Sequence, residues 1–232
     1  MNIFIAHWPV LKERKDYLDD FFAKKSQFKP IYFCNFDKTQ LKENELERYY
    51  NGFNEFYLNE SFENIKWADK IKSQFKGLNT AEVCNFLNHL SIYEYIIENK
   101  IEDALILEDD CILPENFDEM IVKIINLKPS ECELLFIGGD GTGLTPETYG
   151  KKINENQILY KIPTSRTVDA YWLKWKTAFK LYSYIFWKKN FQLPIDWEMN
   201  AIINKKKIIT YHMYPPLIKQ GSAIEQYKSS AR

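Results

Sequence analysis

The feature that most constrains this chain is a short apolar run, residues 104–107, followed at once by Glu108, Asp109 and Asp110. Four apolar residues bounded in this way are typical of a buried β-strand. In open α/β sheets, ligands bind at the carboxyl end of the strands, which is where these acids lie. Adjacent carboxylates repel one another unless a cation lies between them, which favours a divalent ion with oxygen ligands. The alternative is an acidic loop that caps a following helix begun near Pro114.

Composition indicates a folded globular chain and excludes several functions. Of the 232 residues, 45% are hydrophobic and 16% are aromatic, so a sizeable core can be buried. The 31 basic residues against 32 acidic ones give a net charge of −1, which supplies no basic field for nucleic acid. No stretch approaches the ~18 apolar residues of a membrane span, and the first residues lack the flanks of a signal peptide. The four cysteines form no Cys-x-x-Cys pair, so we expect a cytoplasmic protein without structural zinc or disulfides.

Hydrophobic periodicity predicts alternating strands and helices. The predicted strands cover residues 2–6, 30–34, 104–107, 133–137, 167–171 and 208–214. The predicted helices cover residues 12–25, 79–99, 117–127, 177–186 and 197–203. Residues 39–57 are interpreted as a partly helical excursion. Residues 138–143 are interpreted as a mobile glycine-rich loop and not a phosphate loop, because no helix follows them and the Walker lysine is missing. This alternation predicts a single α/β domain with a mixed, mainly parallel central sheet flanked by helices.

Two histidines are candidate functional residues, each with a simpler alternative. His89 lies at the edge of the apolar stripe of a predicted helix, where a histidine is either a satisfied core residue or a ligand. His212 lies in a predicted strand near the end of the chain, and the same two interpretations apply.

The segment from Leu193 to Glu198 is more specific. Proline followed by Asp196 before a helical pattern predicts that Asp196 caps a short helix. A fixed, ionised carboxylate at a cleft would also be able to accept a proton from a hydroxyl nucleophile. Trp197 beside it would suit stacking on a sugar ring or packing in the core.

Six motifs, taken in order, resemble glycosyltransferase family 25, the lipooligosaccharide and procollagen galactosyltransferase-like enzymes. The chain departs from the family pattern in two places: Asn88 stands where serine is usual, and residues 81–83 lack a glycine. The similar segments are Leu11 with Arg14, Cys84 with Asn88 and His89, Leu107 to Asp110, Ala170-Tyr171 with Ala178, Pro194 to Asp196, and Pro215 to Gln220.

The resemblance implies a GT-A fold, with a nucleotide-sugar side over about residues 1–140 and an acceptor side over about residues 141–232. It implies inverting transfer of a hexose, galactose or glucose, from a UDP-sugar to a hydroxyl of a surface-glycan acceptor. Because the leaving UDP develops negative charge, Mn²⁺ or Mg²⁺ is the expected cofactor. No nucleic acid partner and no transmembrane segment are expected, and a peripheral position at a membrane is compatible with this role.

The resemblance and the chemistry of this reaction assign the metal and phosphate ligands. Asp110 is expected to bind the metal directly, and Asp109 to bind it or to support a ligand. His212 is a candidate late metal ligand. Arg14 and Arg166 are candidates for contact with the nucleotide or its phosphates.

The same reasoning assigns the residues around the sugar. Side chains alternate along an extended strand, so Glu108 is expected to contact the sugar or fix the strand end and not to bind the metal. His89 is placed with the residues that bind the nucleotide-sugar. Asp196 is the candidate base on the face of the sugar opposite the leaving group, and Glu198 is the second candidate.

Three alternatives to this function stay open. The acceptor hydroxyl could belong to a protein. The same acids could serve a metal-dependent phosphohydrolase, although the chain lacks the Asp-x-Asp nucleophile pair and lysine motif expected of one. A third alternative is a non-catalytic sugar-binding module of the same fold, which the Asn88 departure permits.

Overall fold

A computed structural model describes most of the chain. The described residues are 1–41, 47, 50, 52, 58–59, 75–139, 145–154, 156–165, 167–188 and 191–228. Most of the predicted excursion at residues 39–57, most of the glycine-rich loop and Arg166 therefore lie outside the described residues.

Seven strands form one mixed sheet in the order β2-β1-β3-β7-β5-β8-β6. Strands β6 and β7 run antiparallel to the other five, which confirms a mixed, mainly parallel sheet. Strands β4 and β9 pair separately in a small two-stranded sheet. The strands are β1 (Asn2–Ala6), β2 (Pro30–Phe33), β3 (Asp103–Glu108), β4 (Cys111–Ile112), β5 (Leu134–Phe136), β6 (Leu159–Lys161), β7 (Ala170–Lys174), β8 (Thr210–Met213) and β9 (Lys219–Gln220).

Helices cover both faces of the large sheet. They are α1 (Lys12–Lys25), α2 (Thr80–Glu98), α3 (Phe117–Leu127), α4 (Trp175–Lys188) and α5 (Ile195–Lys206). Apolar residues of α1 and α3 pack with Leu105 and Leu107 on one face. Residues of α2, α4 and α5 pack with Ala104 and Ile106 on the other. Because side chains alternate along β3, one strand supplies both cores, and the chain is confirmed as α/β.

A local sequence signal explains where α2 begins, and aromatic packing holds α3 in place. A capping box starts α2: Asn79 Oδ1 accepts from the Glu82 N–H at 3.0 Å, and Glu82 Oε2 accepts from the Asn79 N–H at 2.9 Å. These two bonds satisfy donors that the first helical turn would otherwise leave unpaired. In α3, the buried Phe117 packs edge-on against Phe21, Phe22 and Phe28 at 6.0–6.4 Å between ring centroids.

The structure corrects three boundaries. The predicted strand at residues 167–171 begins only at Ala170, because Asp169 before it turns its carboxylate into the loop that follows β5. Helix α4 begins at Trp175, two residues earlier than predicted. The prediction that Asp196 caps α5 is wrong: Pro194, with an extended backbone, is the N-cap residue and Asp196 lies in the first turn. The fixed φ of proline suits that position.

Among the helices that the structure describes, none has both the length and the apolar character needed to cross a membrane.

The aromatic cluster around Phe117 yields a test of the packing between α1 and α3. We expect Phe117→Ala to lower the free energy of unfolding by about 3–5 kcal/mol, because it leaves a cavity among three aromatic rings. Urea denaturation measures this loss. Val122→Ala on the same helix is the control, since Val122 is 45% exposed and its loss should cost only about 0.5 kcal/mol. Equal losses in the two variants would contradict this packing.

Candidate active site

An open cleft of about 140 Å³ lies where β1 and β3 end. The residues after β1 and the three acids that end β3 form its floor. The first turns of α2, the segment after β2 and the residues beside β9 form its walls. Its position at the carboxyl ends of parallel strands suits a small-molecule site.

Asp109 is a structural anchor in the floor of this cleft. Its Oδ2 accepts hydrogen bonds from His7 Nδ1 at 2.9 Å and from the Trp8 N–H at 3.0 Å. Its Oδ1 accepts from Arg14 at 2.7 Å. Burial alone would raise the pKa of Asp109, but the hydrogen bond from His7, the charge of Arg14 and the Trp8 N–H together hold that pKa below its usual value. Both oxygens already have protein partners: Oδ2 accepts from two donors and Oδ1 from one, so the room for a direct metal contact is at Oδ1.

Arg14 is held among protein partners. Its side chain is 2% exposed. Besides Asp109 it donates to the Lys228 carbonyl oxygen at 2.5 Å, and its guanidinium lies 5.2 Å from the ring centroid of Tyr227. These contacts tie the start of α1 to the C-terminal segment. The predicted contact of Arg14 with phosphate stays a prediction.

Among the described residues, Asp110 is the acid at the end of β3 that has a buried carboxylate oxygen without a hydrogen-bond partner. Its Oδ2 accepts from Ser222 Oγ at 2.6 Å, whereas its Oδ1 is buried without a hydrogen-bond partner among the described residues. Burial, with the nearby charge of Glu108, raises the pKa of Asp110 to about 6. An unpaired buried carboxylate oxygen is costly unless a ligand completes it.

Glu108 turns toward the opposite face of the sheet from Asp109, as the alternation along β3 predicts. Its Oε1 accepts from Asn85 Nδ2 of α2 at 2.6 Å and lies 3.6 Å from His89 Nε2. His89 is fully buried, and its Nδ1 lies 2.8 Å from Tyr171 Oη. Glu108 lines the cleft, whereas His89 lies behind it.

Asp169 is a buried acid that the sequence reasoning missed. Its carboxylate accepts hydrogen bonds from Thr167 Oγ1 and, at 2.9 Å, from the Gly139 N–H. A Cβ at position 138 would collide with this carboxylate, so only glycine fits there. Burial raises the pKa of Asp169 to about 7, and the charges of Glu108 and Asp110 add to the effect. A buried acid just before a strand leaves no periodic signal in the sequence.

The two candidate bases lie in the first turn of α5. Burial and the charge of Glu108 raise the pKa of Asp196 to about 7, and Glu82 raises it further. Asp196 is therefore within electrostatic reach of Glu108 and Glu82, which line the cleft, although Asp196 itself does not line it. Glu198 is 1% exposed, and its Oε2 accepts from the Gln192 N–H at 3.3 Å.

His212 lies apart from these acids. It is buried in β8, where its Nε2 donates to the Thr164 carbonyl oxygen at 2.8 Å and its ring packs on Phe136. It does not line the cleft. Its role as a metal ligand stays a prediction, and so does the phosphate contact of Arg166, which lies outside the described residues.

Two residues after the first two strands add to the cleft without a sequence signal. Trp8 donates from its indole nitrogen to Asp37 at 2.7 Å, and Lys38 Nζ lies 4.0 Å above the Trp8 ring. Lys38 therefore adds a positive charge to the lining of the cleft. These segments meet only because β1 and β2 are neighbours in the sheet.

The donor set fits a divalent cation that arrives with a phosphate ligand. In the part of the chain that the structure describes, no three His, Cys, Asp or Glu side chains are arranged to hold a metal by themselves. Mg²⁺ is usually bound through one or two carboxylates together with substrate phosphates, and not by an all-protein cage. Asp110 Oδ1, which has no hydrogen-bond partner among the described residues, would supply one such ligand at the cleft.

Comparison with known protein families places the chain among the glycosyltransferase families. The chain belongs to glycosyltransferase family 25, because the family model described as "Glycosyltransferase family 25 (LPS biosynthesis protein)" matches residues 1–199. The match covers β1, β3 with its acids, and the first turn of α5. The family assignment made from the sequence motifs is thereby confirmed.

Solved structures of similar proteins include one glycosyltransferase, "involved in the glycosylation of the major capsid of PBCV-1". It shares 12% identity with this chain at a TM-score of 0.32, over 78% of this chain. The chain spans 64% of the length of that structure. None of the curated proteins compared with the chain matches it significantly.

The buried Asp169 predicts how the stability of the fold depends on pH. In the unfolded chain its pKa is about 3.9, whereas in the fold it is raised to about 7. Between these values the folded state holds a proton that the unfolded state releases, so the stabilising effect is complete below about pH 4 and is lost as the pH rises toward 7. We expect Asp169→Asn to flatten this fall by a few kcal/mol, as measured by urea denaturation near pH 5 and near pH 8.

The control for this experiment is Asp103→Asn at the opposite, partly exposed end of β3. It should keep the pH dependence of the wild-type protein. If Asp169→Asn and the wild-type protein lose stability equally over this range, Asp169 does not carry the buried proton.

Proposed function

We propose that this glycosyltransferase transfers a hexose, galactose or glucose, from a UDP-sugar to a hydroxyl of a surface-glycan acceptor, with inversion and with a divalent metal ion. The observation that carries the proposal is the buried, unpartnered Oδ1 of Asp110 at a cleft on the carboxyl ends of β1 and β3. The family description, LPS biosynthesis protein, supports a surface glycan as acceptor. A cytoplasmic location stays a prediction.

The charges around the cleft support a requirement for a metal. A diphosphate would enter next to Glu108, Asp109 and Asp110, and the net charge of the chain is only −1. Mn²⁺ or Mg²⁺ held by Asp110 and by the phosphates would neutralise the charge that develops on the leaving UDP. Asp109, whose oxygens bind His7, Trp8 and Arg14, would hold the strand end in place for Asp110.

Asp196 suits the role of general base. In inverting transfer the acceptor oxygen bonds to the anomeric carbon while the bond from that carbon to the diphosphate oxygen breaks. The proton of the acceptor hydroxyl passes to the base on the opposite face. A carboxylate whose pKa is raised to about 7 is well matched to accept that proton near neutral pH.

Asp110→Asn tests the metal site. We expect the wild-type protein to bind UDP more tightly with Mn²⁺ than with chelator, and the variant to lose most of that difference because its amide oxygen carries no charge. Isothermal titration with UDP measures this. Asp103→Asn, at the far end of the same strand, should behave like the wild-type protein.

UDP binding that does not change with chelator would contradict the metal assignment. Turnover assays with UDP-galactose, UDP-glucose and candidate hydroxyl acceptors separate the remaining functions. Release of UDP by the wild-type protein but not by Asp110→Asn supports a transferase. Release of inorganic phosphate would indicate a phosphohydrolase, and the absence of turnover with every acceptor would indicate a sugar-binding module.

Asp196→Asn tests the base. We expect the rate of transfer to fall by about 10²–10⁴-fold, as is typical when a general base is lost. UDP binding with Mn²⁺ should be retained, because Asp196 does not line the cleft floor. Glu198→Gln is the matched variant two positions further along the same helical turn. A larger loss in Glu198→Gln than in Asp196→Asn would exchange the two assignments.

A further inference from the structure

A buried row of polar side chains connects α2 to Glu108. Asn85, His89 and Tyr93 follow one another at intervals of four residues, so they lie on one face of the helix. Asn85 Nδ2 is 2.6 Å from Glu108 Oε1, and His89 Nε2 is 3.6 Å from the same oxygen. Behind His89, Tyr171 Oη lies 2.8 Å from His89 Nδ1 and 2.7 Å from Tyr93 Oη.

The donors and acceptors available in this row determine the direction in which its hydrogen bonds run. An ionised carboxylate only accepts hydrogen bonds, and in a neutral imidazole one nitrogen donates while the other accepts. The hydrogen that faces Glu108 therefore lies on His89 Nε2, and Nδ1 accepts from the Tyr171 hydroxyl. The Tyr171 oxygen in turn accepts from the Tyr93 hydroxyl. Burial raises the pKa of both phenols, so both keep their hydrogens.

The row leaves one donor incomplete. His89 Nε2 is buried and has no hydrogen-bond partner among the described residues, and at 3.6 Å its contact with Glu108 is longer than a hydrogen bond. Both contacts of the row with Glu108 are made by its Oε1, and Glu108 lines the cleft. In ligand-free sites, functional hydrogen bonds are often long and shorten only when substrate binds.

We propose that His89 is a positioning residue, held in its Nε2–H form by Tyr171 and Tyr93, which orients Glu108 so that Oε2 accepts a hydroxyl of the transferred sugar. Asn85 and His89 fix Oε1, and the sugar hydroxyl completes Oε2. This inference rests on the proposed function, because it assigns the sugar of the donor to Glu108. It predicts that the row affects binding of a nucleotide-sugar and not of the nucleotide alone.

Nuclear magnetic resonance tests the tautomer without reference to activity. The chain has three histidines, so long-range ¹H–¹⁵N spectra of protein with labelled histidine resolve each ring, and His89→Gln assigns the His89 signals. We expect the Nε2–H tautomer for His89 in the wild-type protein and a changed Nδ1 signal in Tyr171→Phe. An Nδ1–H tautomer or a doubly protonated ring would overturn the proposal.

Titration of the variants with UDP and with UDP-galactose or UDP-glucose, each with Mn²⁺, tests the effect on the sugar. We expect Tyr171→Phe to weaken binding of the UDP-sugar about tenfold, because Glu108 is then held less firmly and its hydrogen bond with the sugar hydroxyl weakens, and to leave UDP binding unchanged. His89→Gln, which keeps a donor facing Glu108, should bind the UDP-sugar more tightly than His89→Leu. Tyr160→Phe is the control, since Tyr160 is a buried tyrosine outside the row.

The outcomes separate the two proposals. Equal weakening of UDP and UDP-sugar, or no weakening of either, would overturn the role of His89 while leaving the transferase standing. If the wild-type protein binds neither UDP-sugar, the proposed function fails, and with it the sugar role of Glu108. Circular dichroism identifies any variant that does not fold, and in that case the His89→Gln and His89→Leu pair decides.

Discussion

The buried contact of Asp109 with Arg14, at 2.7 Å, is the interaction on which the cleft depends. Through Asp109 it joins the end of β3 to the residues after β1, and through Arg14 it joins α1 to the C-terminal segment near Tyr227. Removing one partner of a buried ion pair leaves an uncompensated charge, which costs far more than loss of a surface pair. This contact also positions Asp110, because Asp110 directly follows Asp109, which is held by its hydrogen bonds.

The alternation of side chains along β3 divides the acids into two roles. Asp109 faces α1 and both of its oxygens have protein partners, whereas Glu108 faces α2 and the cleft. The charge of Glu108 helps raise the pKa values of Asp110, Asp169 and Asp196. Without a ligand the cleft thus holds mutually repelling carboxylates in a partly dry environment, which is unfavourable for the fold. A cation or a hydroxyl donor would relieve that repulsion. The repulsion that destabilises the fold therefore favours binding of such a ligand.

The fold was predictable wherever the signal is local. Helices α1 and α3 have the bounds that their apolar spacing predicts, and the capping box at Asn79 starts α2 where its motif indicates. The acids of β3 were identifiable for the same reason. Ser222 was not, because it reaches Asp110 only through the pairing of the two-residue strands β4 and β9, which are too short to show periodicity. The capping role assigned to Asp196 failed because Pro194 fits the position before the helix.

The departure of Asn88 from the family pattern has a structural explanation. Its Oδ1 accepts from the Phe36 N–H and its Nδ2 donates to the Phe36 carbonyl oxygen, both at 3.1 Å. A serine in its place would offer only one short hydroxyl group. The amide of Asn88 instead binds both the N–H and the carbonyl oxygen of Phe36. This clamp fixes the segment after β2, which carries Lys38, against the helix that carries Asn85 and His89. The departure at Asn88 permits the alternative of a non-catalytic sugar-binding module. In the structure, however, Asn88 holds two walls of the cleft together.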